Sequence, residues 1–324
     1  MELKSELERK KVEVFFSAHF ATGVIPPFSF IYGGKSSSEF LKDWQFSKET
    51  KSLDGKKTEH LFTYTDLQTS LEARCVCTVF SDFPAVEWLL TFENCGKDDT
   101  PIIEDVQALD IELTRKPEGE FVLHRALGSS ASRMDFAPID EVMHPNANLQ
   151  LAPIGGRSSN TNVLPFFNIE APGEGVMVGI GWSGQWATEL IRDDGTSLKV
   201  RAGMELTHLK LHPGEKIRTP RILLLFWGGD DSPLASSGGP ACAAPLPGFE
   251  EFNRATEHNQ IALAERYRQF GLETEYWWID AGWFEGYWPN GVGNWFPRED
   301  GFPNGLKPVS DAVKKMGMGF LLWF

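Results

Sequence analysis

The fold of the last part of this 324-residue chain is decided by the segment Tyr276-Trp277-Trp278-Ile279-Asp280-Ala281-Gly282-Trp283. Its first four residues are aromatic or apolar, and with Glu275 before them they predict a short buried strand. A carboxylate follows directly, and Ala281-Gly282 is typical of a turn that opens a loop. The segment therefore predicts a strand that ends at an acidic side chain.

Helical patterns lie on both sides of this strand. In Glu257–Phe270, Leu263, Tyr267 and Phe270 recur at i, i+4 and i+7, and Gly271 stands at the cap position. After a long Gly- and Pro-rich loop that runs to Lys307, a second helix is predicted from about Pro308, with Val309, Ala312, Val313 and Met316 on one face and Gly317 ending it. A further apolar strand, Gly319–Phe324, follows. Helix, strand, loop, helix, strand is typical of a parallel α/β protein.

The long loop leaves the carboxyl end of a strand, which is where (β/α)8 barrels build their sites. A complete barrel takes about 250 residues, and far fewer follow Pro240. The pattern thus predicts the first strands of an incomplete (β/α)8 TIM barrel over residues 241–324.

The preceding part of the chain, from about Val12 to Trp227, predicts β-structure. Leu71–Val79 and Val86–Phe92 alternate apolar and polar residues, which is the pattern of strands with one buried face. Arg221–Trp227 is a continuous apolar run, as expected for a strand buried on both faces. Gly228–Pro240 has the composition of a linker. We therefore expect a large antiparallel β-sandwich domain at 1–227 and a linker at 228–240, hence a multidomain β plus α/β protein.

Composition excludes several classes of partner. Lys and Arg total 31 against 45 Asp and Glu, which gives a net charge of −14. A protein that binds a nucleic-acid backbone or an anionic membrane surface needs the opposite sign. No apolar run approaches the roughly 20 residues of a membrane span. With Met1 as the true start, the lack of an apolar signal-peptide core predicts a cytoplasmic protein.

Cysteine and histidine usage predicts no metal site and no cofactor. Cys75 and Cys77 share the apolar face of a predicted strand, where a thiol usually behaves as a small hydrophobic group. The chain has 7 His. Two of them, His208 and His212, are four residues apart, but they flank a predicted strand end rather than share a helical face, so we expect structural or exposed side chains there.

Tryptophan is concentrated near the predicted loop. A sugar ring packs its C–H face on an aromatic face, while carboxylates accept hydrogen bonds from its hydroxyls. For Trp283, Trp288 and Trp295, in the Gly- and Pro-rich loop, a site-lining role is the better interpretation; for Trp277 and Trp278, within the strand, core packing is at least as good. On physical grounds, Asp280 either caps a turn or faces a ligand.

The chain resembles glycoside hydrolase family 36, the group of α-galactosidases and raffinose synthases. Three ordered motifs near the end carry the resemblance, and two segments near the front are similar to the β-supersandwich of the family. These are, in order, Tyr276–Phe284, Gly293–Phe296 with Phe302–Pro308, Gly317–Phe324, Pro26–Gly34 and Asp82–Trp88.

The resemblance implies a retaining α-galactosidase that acts on galactose-containing oligosaccharides. Asp280 would bind galactose hydroxyls and Trp323 would line the same subsite, with Trp283 and Trp295 as further substrate-binding residues. Family members often carry a second Asp where this chain has Ala281. The nucleophile and the acid/base of the family come from later barrel strands, so the resemblance implies that both lie beyond Phe324. It leaves open whether the full-length protein is a homo-oligomer.

Two other functions stay open at this point. One is a non-catalytic carbohydrate-binding module built mainly on the sandwich. The other is galactosyl transfer of the raffinose-synthase type.

Overall fold

The computed structural model describes residues 2–129, 134–229, 255–286 and 290–324, with the side chains of 2–5 left out. The chain divides into two compact units, Met1–Cys242 and Ala243–Phe324. Of the predicted linker, residues 230–240 lie outside the described part of the chain.

The first unit is built almost entirely from antiparallel strands. In chain order its described strands are β1 (Ser29–Tyr32), β2 (Lys35–Ser36), β3 (Gln45–Asp54), β4 (Lys57–Thr65), β5 (Leu71–Phe80), β6 (Ala85–Asn94), β7 (Ile103–Thr114), β8 (Phe121–Ala126), β9 (Pro138–Met143), β10 (Asn148–Leu151), β11 (Phe166–Ala171), β12 (Glu174–Gly181), β13 (Trp186–Arg192), β14 (Ser197–Met204), β15 (His208–Leu209) and β16 (Lys216–Gly228).

These strands form two sheets. Among the described residues, seven strands make the first sheet, in the order β10-β13-β14-β7-β1-β2 with β15 also paired to β7, and nine make the second, in the order β3-β4-β5-β6-β16-β12-β11-β8-β9. The predicted antiparallel β-sandwich is confirmed.

The alternating segments place one face of each strand in the core. Leu71, Ala73, Cys75 and Cys77 of β5 are fully buried, as are Val86, Trp88, Leu90 and Phe92 of β6. The register puts Cys77 opposite Trp88. The indole N–H of Trp88 donates to the carbonyl of Ala108, on β7 of the other sheet, at 2.7 Å. Each large side chain buried in this way contributes roughly 1.5–3 kcal/mol to stability.

The prediction that β-structure begins at about Val12 was wrong, because an α-helix, α1 (Glu2–His19), occupies this segment. Val12, Phe15 and Phe16 lie at i, i+3 and i+4, so they share one helical face. Phe15 packs on Trp88 and Phe226, with ring centroids 6.0 and 5.4 Å apart. A second, one-turn helix, α2 (Ser37–Phe40), follows β2.

The prediction that Arg221–Trp227 is buried on both faces was also wrong. Ile222, Leu224 and Phe226 are buried, whereas Leu223 is 39% exposed. An antiparallel sheet in a sandwich meets the core with one face only, and β16 lies in such a sheet.

The second unit has the predicted order of elements: α3 (Glu257–Gln269), β17 (Tyr276–Ile279), α4 (Lys307–Lys315) and β18 (Gly319–Leu322). The chain leaves α3 through Gly271 and α4 through Gly317, both at positive φ (67° and 85°), a conformation that glycine adopts without strain. Val309 and Val313 of α4 are fully buried, as predicted. In α3, however, Ala264 is buried and Phe270 is 71% exposed, so the predicted apolar face of this helix is displaced.

β17 and β18 are parallel, and the residues that share their core are Ala264, Ile279, Trp283, Phe284, Phe302, Val309, Val313 and Met318. Within the described residues, no helix is both long and apolar enough to cross a membrane.

Candidate functional site

Parallel pairing of β17 and β18 brings two of the predicted site residues to one edge. Ile279 lies opposite Leu322 in the register, so Asp280 and Trp323 each follow a strand at its carboxyl end. The N–H of Trp323 donates to the carbonyl of Ile279 at 3.0 Å. The two strands therefore end at the same height, and Asp280 and Trp323 follow at the same edge of the sheet.

Asp280 is exposed at the start of the loop. Its Oδ1 accepts a hydrogen bond of 2.7 Å from the N–H of Ala281, and Gly282 has a φ of 104°. Of the two interpretations of Asp280, the turn-capping one is thus observed. One carboxylate oxygen suffices for this turn, and the exposure of the side chain leaves the group accessible to a ligand.

The three described tryptophans of the predicted site come together in one aromatic cluster. The rings of Trp283 and Trp295 are stacked with centroids 6.2 Å apart and planes 26° apart. Trp323 meets Trp295 edge to face at 6.2 Å and stacks on Phe284. Phe324 contacts both Trp283 and Trp295. Offset and edge-to-face pairs of this kind contribute roughly 0.5–1.5 kcal/mol each beyond area burial.

Trp283 is 2% exposed, and its indole N–H donates to the carbonyl of Trp323 at 3.1 Å. The sequence interpretation favoured a site-lining position because the residue lies in a loop. The loop folds back onto the unit's own core, so packing is what the described residues show for Trp283. Trp295 and Trp323 are half-buried and keep part of their surface accessible.

The other tryptophans of this region differ in surroundings. Trp288 lies outside the described residues. Trp277 is half-buried and donates to Oε1 of Gln260 at 2.9 Å, in agreement with a packing role. Trp278 is 63% exposed and lies opposite Leu321 in the parallel register.

Arg298 is a buried cation that the sequence interpretation missed. It is 4% exposed, and its guanidinium donates to the carbonyls of Gly282 and Ala255. Its neighbours in the sequence, Pro297 and Glu299, are typical of a solvated loop, so burial of this arginine had no local signal.

Metal ligands are not clustered in the described part of the chain, where no three His, Cys, Asp or Glu side chains lie in a metal-binding arrangement. Cys75 and Cys77 are buried in the sandwich core, and burial raises the pKa of both thiols. A thiolate, the form that binds metals, is therefore disfavoured at both positions.

A surface groove of about 590 Å³ lies between α3 and α4, lined by Glu265, Asn304, Lys307, Pro308, Asp311, Ala312, Lys315 and Met316. None of the four predicted sugar-binding residues lines it. Its lining has no aromatic ring on which a sugar could pack, so the edge at Asp280 and Trp323 remains the better candidate site.

Comparisons with known proteins point to one group of enzymes. No family model matches the chain. It is 22% identical over 307 residues to the α-galactosidase Mel36A of Lactobacillus acidophilus, which covers 85% of this chain and 40% of that protein. A 65-residue segment is 41% identical to an α-galactosidase of Escherichia coli and covers 9% of it.

Solved structures extend the likeness at the level of the fold. An α-galactosidase from Lactobacillus brevis matches with a TM-score of 0.62 and 16% identity over 95% of this chain. A variant of the GH36 α-galactosidase AgaA from Geobacillus stearothermophilus in complex with raffinose matches with a TM-score of 0.57 and 16% identity over 92%. The galactosidase domain of the α-galactosidase–sucrose kinase AgaSK matches at 0.59 with 17% identity over 92%.

The chain spans less than half the length of these relatives, 45% in each of the three solved structures. The resemblance to GH36 α-galactosidases stated from the sequence is confirmed, and the coverage fits the expected correspondence with the front part of such a protein.

Proposed function

We propose that this chain forms the front part of a retaining α-galactosidase that releases terminal α-linked galactose from galacto-oligosaccharides. The observation that carries the proposal is the position of Asp280 and Trp323 at the level ends of two parallel strands, next to the stacked Trp283–Trp295 pair. A carboxylate beside partly accessible rings, those of Trp295 and Trp323, suits a sugar, because it accepts hydrogen bonds from hydroxyls while the rings pack on C–H bonds.

The second unit is proposed to be the start of a (β/α)8 barrel. Parallel strands joined through a helix support this assignment. One face of the two-stranded sheet gives further support, because it exposes large apolar side chains that the other strands of a barrel would enclose. These are Tyr276, Trp278 and Leu321, which are 63%, 63% and 43% exposed. We assign residues 1–227 to the β-supersandwich, 228–240 to the linker and 241–324 to the barrel.

In this proposal Asp280 binds galactose hydroxyls, and Trp295 and Trp323 line the same subsite. Trp283, which is buried, acts by holding the ring of Trp295 and the backbone of Trp323. Retaining hydrolysis needs two carboxyl groups about 5–5.5 Å apart on either side of the anomeric carbon. No Asp or Glu of this chain is assigned to either role; both are proposed to come from later barrel strands.

Hydrolysis is proposed rather than galactosyl transfer because the named relatives are α-galactosidases. One of them, AgaA, has been solved in complex with raffinose and, as another variant, with stachyose. Galactose-containing oligosaccharides are therefore the substrate class we propose.

The sequence that follows Phe324 in the gene tests the proposal. A continuation with the strand and helix pattern of a barrel, and with two carboxylates at strand ends, is the expected result. A continuation without that pattern would contradict the enzyme and favour a binding module built on the sandwich.

A further inference from the structure

We infer that Arg298 is a positioning residue that fixes the loop between β17 and α4 so that Trp283 and Trp295 are held in their stacked arrangement. The inference deepens the proposed function and rests on it for the role of these rings in sugar binding. The structural part of the inference concerns the contacts of the Arg298 guanidinium with Gly282, Ala255 and Asp300, which we call the clasp. All of these contacts lie within the second unit.

The guanidinium joins two points of the chain that are distant in sequence and also pairs with a carboxylate two residues away. Nε donates to the carbonyl of Gly282 at 2.6 Å, and Nη2 donates to the carbonyl of Ala255, just before α3, at 2.7 Å. Nη1 pairs with the carboxylate of Asp300. The side chain is only 5% exposed, so these groups replace water around the cation.

The backbone of Arg298 is tied to the same loop. Its N–H donates to the carbonyl of Trp283 at 2.9 Å, and its carbonyl accepts from the N–H of Phe302 at 2.8 Å. Next along the loop, the N–H of Glu285 donates to the carbonyl of Phe296 at 2.9 Å. These bonds place the strand-proximal part of the loop, with Trp283, beside the later part that carries Trp295.

Close approach at Gly301 shows how tightly the guanidinium is enclosed. A Cβ at this position would lie 2.7 Å from Nη2 of Arg298 and 3.1 Å from the carbonyl of Ala255. Only glycine fits at this position without movement of the Arg298 guanidinium.

An arginine is suited to this position for a physical reason. A buried charge is costly unless its donors are satisfied, and the planar guanidinium offers five N–H groups in fixed directions. Lysine carries its donors on a single atom, so it cannot bridge Gly282 and Ala255 in the same way. The buried cation at this position therefore joins the described parts of the loop to the residue just before α3.

Hydrogen exchange in the 324-residue chain tests the clasp. We expect Arg298→Met to accelerate exchange of the amides of Glu285 and Phe302 at least tenfold, with Arg298→Lys intermediate. The matched control is Arg268→Met, at an exposed position of α3, which should leave both amides unchanged. Equal exchange in Arg298→Met and the control would overturn the inference.

Binding of D-galactose, followed by saturation-transfer NMR well below the melting temperature, tests the positioning role. Arg298→Met should weaken the affinity at least fivefold, and Arg298→Lys should restore part of it. Faster loop exchange with unchanged affinity would overturn the positioning role, since Arg298 would then only stabilise the unit. If the unmodified chain does not respond to galactose while Arg298→Met still accelerates exchange, the galactose subsite proposed for this chain fails and the clasp stands.

Discussion

The indole N–H of Trp283 donates to the backbone carbonyl of Trp323 at 3.1 Å. This bond joins the loop after β17 to the residue after β18, and it crosses the edge where the two parallel strands end. Trp283 thus fixes the backbone of Trp323, and both are predicted site residues.

Replacing Trp283 by Phe tests this bond, because Phe keeps an aromatic ring and removes the donor. The change removes the hydrogen bond to the Trp323 carbonyl and empties part of the volume of a buried ring, which should cost about 2–3 kcal/mol in the free energy of unfolding. Trp278→Phe, at a 63% exposed position, is the control and should cost less than about 0.5 kcal/mol. Urea unfolding of the second unit measures both, and equal effects would contradict the role given to the bond.

Asp280→Asn separates the two roles of this side chain. Asn retains an oxygen that can accept from the N–H of Ala281, so the melting temperature should change little. Loss of the charge weakens the hydrogen bonds from sugar hydroxyls. In a protein that carries the complete barrel, kcat/KM for an α-galactoside should fall at least about tenfold, or ~1.4 kcal/mol.

The control for this change is Asp54→Asn in the sandwich, where Oδ1 of Asp54 likewise accepts from a backbone N–H, that of Lys56, at 2.7 Å. It should leave kcat/KM unchanged. A lowered melting temperature with unchanged kcat/KM in Asp280→Asn would make Asp280 a structural cap and would displace the proposed sugar site.

Catalysis by the 324-residue chain alone is not expected. Retaining hydrolysis requires both carboxylates, and the proposal assigns both to later barrel strands. Purified chain should release no nitrophenol from p-nitrophenyl α-galactoside above the level of a mock purification. Turnover that follows the amount of this chain, and that persists after host α-galactosidase has been excluded, would refute the assignment.

Helix α1 should contribute to the stability of the sandwich. Phe15 is 8% exposed and Val14, its neighbour on the same helix, is 62% exposed. Phe15→Ala should lower the free energy of unfolding by about 3 kcal/mol or more, because it leaves a cavity beside Trp88 and Phe226. Val14→Ala should change it by less than about 0.5 kcal/mol. Similar values for the two variants would mean that the helix does not pack as described.

Thiol reactivity should follow burial. Burial raises the pKa of Cys75 and Cys77, and neither thiol should react with iodoacetamide until the chain unfolds. Cys95 is exposed. The pKa of its thiol is nevertheless raised above the ordinary value of 9.0, first because the thiol is partly desolvated and second because the negative charges of Glu72 and Glu93 lie nearby.

Because the thiolate is the nucleophile, alkylation of Cys95 should be slow at pH 8 and should keep increasing through pH 9. Peptide mass spectrometry distinguishes the cysteines. Modification of Cys75 or Cys77 in the folded chain at the rate of Cys95 would contradict their burial.

Elements with a local periodicity could be predicted from the amino-acid sequence alone. Alternation in β5 and β6 predicted which side chains are buried, since a strand in a sandwich turns one face to the core. The glycines after α3 and α4 predicted where both helices end. The shared subsite of Asp280 and Trp323, in contrast, came from the resemblance to the family.

Features that depend on contacts distant in sequence could not be predicted and are seen only in the folded chain. The sequence predicts β-structure from about Val12, whereas this segment is a helix whose Phe15 packs on Trp88 and Phe226. Exposure of Leu223 follows from the pairing of β16 within an antiparallel sheet. Burial of Trp283, and of a cation at Arg298, depends on hydrogen bonds to Trp323 and Ala255, each 40 or more residues away in the chain. No local pattern encodes such partners, because the free energy that favours them arises only when the segments meet.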